Sequence, residues 1–168
     1  MRARWVTAFF ALAGIGMAGE FAVCVEDRTG LPGSSMAAFR GEFAKLAPAA
    51  EMREDACLNA RGTIQLLIRF HPPSSHPGAL GLAHMAGMRI LPRLEIYLSP
   101  VLRIVHGRLS ADLVGRALAR VAAHEIGHYV LQEPEHHASG LMRESFADWQ
   151  LAGEDSGPFR LARDFPGR

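Results

Sequence analysis

The sequence predicts an α+β domain in which a small mixed sheet packs on one long helix. Three observations carry this. Apolar, strand-like runs come first, at 20–26, 63–70, 79–84 and 93–101. From Ser110 onward the apolar period becomes helical and no proline interrupts it until Pro134. Strands followed by a helix form a layered α+β unit, and 168 residues at 49% hydrophobic content supply one domain with one core.

The elements follow in chain order. Met1-Arg2-Ala3-Arg4 is a short basic start, and "WVTAFFALAGIGMA" after it is apolar. Small residues at Gly16 and Ala18 complete the pattern of a signal peptide over 1–18, leaving a mature domain over 19–168. The apolar run is short for a bilayer span, so no stable membrane insertion is expected after cleavage. A secreted or periplasmic location follows. In an oxidising compartment Cys24 and Cys57 read as one disulfide. It would close a loop of about thirty residues, a stabilisation of ~3 kcal/mol in the chain-entropy picture.

"EFAVCVE" is a first strand, and "RTGLPGSS" a turn-rich connection in which Ser34 or Ser35 caps the next helix. Met36, Phe39, Phe43 and Leu46 recur at helical spacing, and Pro48 ends that helix. "TIQLLIRF" is the clearest strand, stopped by His71-Pro72-Pro73. "PPSSHPG" is an exposed loop, which leaves His71 and His76 solvated. "ALGLAH" and "RLEIYLSPV" are two further strands, the second ended by Pro100. His84 and His106, single residues on these segments or their turns, read as structural. Ser110 caps the long helix, with Asp112 in its first turn where negative charge suits the helix dipole. Phe146 and Trp149 are expected to pack a C-terminal helix onto the core. A net charge of +1, spread without blocks, offers no field for nucleic acid or an anionic membrane.

The chemistry concentrates in "HEIGHYVLQEPEHHASGLM", residues 124–142. His124 and His128 stand one turn apart on the same helix face, so both imidazoles can reach one ion about 2 Å away. Glu125 is rotated by one residue; it need not bind the ion and can instead take a proton from a water held there. Zinc suits imidazole ligands and, with three from the protein, leaves its fourth position to water. A third ligand must come from beyond Pro134. His136 or His137 could swing back, aided by a tight turn at Gly140, with Met142 packing beneath as an adaptable floor.

This run resembles the zincin metallopeptidases, and within them a metzincin-like group of bacterial secreted proteins. Their pattern is HExxH, seven residues, His, then Gly-Ile/Leu-Met. "LARVAAHEIGH" and "ALGLAH" resemble that group too, so the likeness spans most of the mature chain, loosely outside the motif. The resemblance implies a zincin-like fold and a zinc-dependent endopeptidase acting on peptide or protein substrates. It also implies His124, His128 and His136 as zinc ligands, Glu125 as general base, and Met142 as the methionine of the turn. An extended substrate would pair with an edge strand, for which "ALGLAH" is the candidate.

The chain departs from the strict metzincin signature. Leu131 stands where that signature has glycine and Pro134 where it has the third histidine, so the helix is expected to run further before the turn. His137 is an alternative third ligand, although it points opposite to His136 in an extended segment. Glu144 is another: with Asp148 it has the Glu-x-x-x-Asp spacing of gluzincin peptidases, where the glutamate binds zinc and the aspartate orients a histidine. The plain reading of Glu144 and Asp148 is a solvated face of the C-terminal helix. A catalytically silent zinc-binding or interaction domain is the competing function.

Overall fold

The first of the strand-like runs forms the strand β1, Phe21–Asp27, and the run "TIQLLIR" forms β3, Thr63–Arg69. Both bury three successive residues, Val23-Cys24-Val25 and Leu66-Leu67-Ile68. That pattern belongs to parallel strands covered on both faces, and the two do pair in parallel, Val23 opposite Ile64. The computed structural model describes residues 21–54, 62–105 and 110–159. The signal-peptide reading of 1–18, Cys57 and His106 therefore lie outside the described residues. Among the described residues, no helix is long and apolar enough to cross a membrane.

Five strands form one sheet. Besides β1 and β3 these are β2 (Ala50–Arg53), β4 (Gly81–Ala86) and β5 (Arg89–Tyr97), in the order β2-β1-β3-β5-β4. All pairs are parallel except β4 with β5, which run antiparallel as a hairpin. The sheet is thus mixed, as expected, and "ALGLAH" ends up on an edge strand. β2 has no counterpart in the sequence reading. Its four residues, Ala50, Glu51, Met52 and Arg53, alternate apolar and charged over too short a run to stand out; the ladder to β1 makes it a strand.

The helices pack on the sheet through one continuous core. α1 is Gly33–Leu46, α2 Leu98–Ile104, α3 Ala111–Leu131 and α4 Asp148–Ala152, with a 3-10 turn at Gly157–Phe159. Val23, Val25, Ile64, Leu66, Leu94 and Ile96 meet Phe39, Phe43, Leu118, Ala122 and Ile126 in that core. Helix α1 begins earlier than a Ser34 or Ser35 cap would place it. Its N-cap is Pro32, which makes no side-chain cap bond. Pro100 does not merely end a strand: β5 stops at Tyr97, and Pro100 sits in the first turn of α2. There a missing N–H costs little, because it would have no intrahelical partner. Ser110 caps α3 as expected, its hydroxyl accepting from Leu113 N at 3.2 Å.

Helix α3 is the element on which the site is built, and α1 lies against it without room to spare. A Cβ on Gly115 would collide with the Ser35 carbonyl and the Phe39 backbone nitrogen of α1. In an exposed helix Gly→Ala gains about 1 kcal/mol. Here the sign should invert: Gly115→Ala should lose about 1–3 kcal/mol of unfolding free energy through overpacking, read from urea denaturation midpoints. A stabilised variant would contradict this packing.

Candidate metal centre

Fifteen residues of α3 are buried, among them His124, Glu125 and His128 in its last turns. Three polar side chains this deep need partners, and the histidines find them in the chain that follows the helix. His124 Nδ1 is 2.7 Å from the carbonyl oxygen of Leu141, and His128 Nδ1 is 2.6 Å from that of Glu133. A carbonyl only accepts, so both Nδ1 atoms carry the proton and donate. Each Nε2 is left as a lone pair. Burial, the largest influence, together with the neighbouring His128 and His136 lowers the His124 pKa to about 4 against the opposing Leu141 bond. Burial likewise lowers His128. Both rings therefore stay neutral and able to ligate.

The lone pairs converge. His124 Nε2 stands 3.1 Å from His128 Nε2 and 3.3 Å from His136 Nε2. Two acceptors cannot bond one another, and two nitrogens on one tetrahedral ion with bonds of 2.0–2.1 Å are about 3.3–3.4 Å apart. The three rings form a group that could hold a metal ion, with His136 on the exposed side. His128 is turned 88° to His124 and 73° to His136, while His124 and His136 lie nearly parallel at 19°.

The turn beyond the helix explains how His136 arrives. Helix α3 does not run on past the position of the expected glycine. It stops at Leu131, and Gln132 caps it in the left-handed region at φ 55° and ψ 35°. The two additional residues before the third histidine are taken up in the turn instead. Gly140 has φ 78°, where the tight turn was expected, and His137 N donates to Met142 O at 2.7 Å, closing the loop. Met142 is buried under the helix, and a Cβ on Gly127 would strike its sulfur.

The alternatives to His136 lie elsewhere. His137 turns outward, Nε2 3.0 Å from the Glu133 carboxylate. Glu144 is exposed and is not a member of the cluster. It also precedes α4, so it and Asp148 do not share a helix. Trp149, expected in the core, is 73% exposed. Phe146 does pack inward, its ring edge-on to His124 at 5.7 Å and 4.7 Å from Phe159. The segment that carries it is anchored by Arg120, which is fully buried. Arg120 Nε donates to Glu42 Oε1 at 2.9 Å, and Nη1 donates to the Gln150 and Leu151 carbonyls. His84 has the structural place expected of it, 3.2 Å from the buried Glu95 carboxylate on the neighbouring strand.

Glu125 is buried against the edge strand β4. A Cβ on Gly81 of β4 would overlap its carboxyl group. Burial raises its pKa to about 8. Glu125 is not in the histidine cluster, as its one-residue rotation implied. Sequence reasoning missed the carbonyls of Leu141 and Glu133, since a backbone acceptor leaves no mark in residue type. It also missed Gly81, whose lack of a side chain makes room for Glu125.

No protein-family model, curated protein or solved structure matches this chain. The site is therefore read from its own geometry. His136→Ala should weaken Zn2+ binding, measured by competition with a chromophoric chelator, beyond the roughly 10–100-fold cost of losing a group that only orients a ligand. His137→Ala and Glu144→Ala should leave it nearly unchanged. A loss with Glu144→Ala that equals the loss with His136→Ala would contradict the three-histidine cluster as the binding site.

Proposed function

We propose that this protein is a zinc-dependent endopeptidase of zincin-like architecture, exported from the cytoplasm, with His124, His128 and His136 holding the metal. The convergence of three Nε2 atoms, with a buried glutamate one residue along the helix from His124, supports this reading most. All-imidazole donors favour zinc over magnesium or calcium, which prefer oxygen. When bound, zinc supplies Lewis acidity: it lowers the pKa of water to near ~7 and polarises a peptide carbonyl.

The chain's residues do the rest. Glu125, kept protonated by burial, ionises when a cation beside it favours the carboxylate. It then accepts a proton from the attacking water, whose hydroxyl adds to the carbonyl carbon. The same proton passes from Glu125 to the departing amine as the C–N bond breaks. Gly81 leaves room for the carboxyl between α3 and β4. The edge strand β4 pairs with β5 on one side, and its other side is the surface on which an extended substrate could add a strand. A buried carboxyl next to the cluster favours catalysis over a silent structural zinc site, which has no use for a base there.

Glu125→Gln should retain zinc at full stoichiometry while peptide-library cleavage falls by at least about 1,000-fold, the scale of general-base catalysis together with lost orientation. Equal cleavage by the variant and the wild type would remove Glu125 from the mechanism. A chelator should stop cleavage without unfolding the domain. Melting of the whole domain on chelation, with no cleavage before it, would favour a structural zinc site.

A further inference from the structure

Gln132 is the one non-glycine among the described residues with positive φ. A helix end in the left-handed region is a place where glycine has no steric penalty and glutamine does. The side chain gives the reason for its presence. Gln132 Oε1 accepts from Ile90 N at 3.1 Å, and Nε2 donates to Ile90 O at 3.1 Å. Nε2 also donates to the Tyr129 carbonyl at 2.7 Å, which ties the amide back to the last turn of α3.

Ile90 lies near the start of β5, before the stretch that β3 pairs, which begins at Arg93. Its partner across the hairpin is Met85 of β4. The Gln132 amide therefore takes the place of a neighbouring strand where β3 does not reach. On the other side of Gln132, the next residue supplies the carbonyl that holds His128, and the turn beginning there carries His136. One side chain thus bolts the edge-strand hairpin to the end of the metal-binding helix.

We propose that Gln132 is a positioning residue that couples the β4–β5 hairpin to the histidine cluster and so fixes the depth of the cleft between edge strand and metal. It touches neither the ion nor the substrate strand. For its effect on substrate the inference rests on the peptidase reading, while the coupling itself does not. In the wild type, ordering the turn by binding a cation restrains the hairpin through the amide clamp. Without the clamp the two move independently.

The test compares wild type, Gln132→Gly and Gln132→Asn, each with and without Zn2+ alone, by amide hydrogen exchange followed by mass spectrometry. Glycine relieves the backbone and deletes the clamp; asparagine tolerates the same backbone region but is one methylene too short to reach Ile90. Both variants should therefore fold. Zn2+ should slow exchange across 82–90 at least tenfold in the wild type and less than twofold in either variant, with zinc affinity changed less than threefold. Where cleavage is measurable, KM should rise several-fold with kcat nearly constant. Equal zinc-dependent protection of the hairpin in all three proteins would overturn the coupling, whatever the cleavage assay reads. Protection that is coupled as described in a protein without peptidase activity would sustain the clamp and sink the peptidase reading alone.

Discussion

The Nδ1–H of His124 is held on the Leu141 carbonyl, and that of His128 on the Glu133 carbonyl. From this constraint the rest of the site follows. With the proton fixed on one nitrogen, the other must present its lone pair, and burial keeps both rings from becoming cations. The lone pairs then face one another at distances where, with nothing between them, they would repel. A shared positive centre would relieve that repulsion, and the three rings form a group that could hold a metal ion.

The fold serves this arrangement at three places. Helix α3 is buried through its last turns, so the two histidines sit on a rigid spiral rather than on a loop. Met142 fills the space beside Gly127 and fixes the height of the returning segment, whose Leu141 carbonyl holds His124. Farther along, the Arg120–Glu42 pair sits fully out of water, and loss of one partner of such a pair typically costs about 3–5 kcal/mol. Through the Gln150 and Leu151 carbonyls that pair anchors the segment whose Phe146 rests on His124. Stability of the C-terminal segment and the orientation of His124 are thus linked by one buried guanidinium.

Much of the layout was legible in the chain, and the reasons are physical. The runs of β1 and β3 and the helical periods of α1 and α3 reflect burial, which side-chain type records directly. The pairing of His124 with His128 follows from helix geometry alone. Other features depend on the backbone or on distant residues. β2 is held by its ladder to β1. The helix ends at Gln132 because a side-chain amide finds Ile90, forty-two residues away in sequence. Trp149 is apolar yet 73% exposed, because the short α4 turns Leu151 rather than Trp149 inward. Alternation in an extended segment sends His136 and His137 in opposite directions, and the structure has the two side chains diverging in that way, one to the cluster and one to Glu133; which of the two turns inward was implied only by the resemblance.

X-ray absorption at the zinc K edge, on protein loaded with one equivalent of Zn2+, addresses the shared cation without reference to any activity. Three imidazole nitrogens at about 2.0–2.1 Å and one oxygen ligand in four-coordinate geometry are the expected shell. A shell of oxygens in six-coordinate geometry, or one with fewer than three imidazoles, would mean that the three converging rings do not hold a metal together.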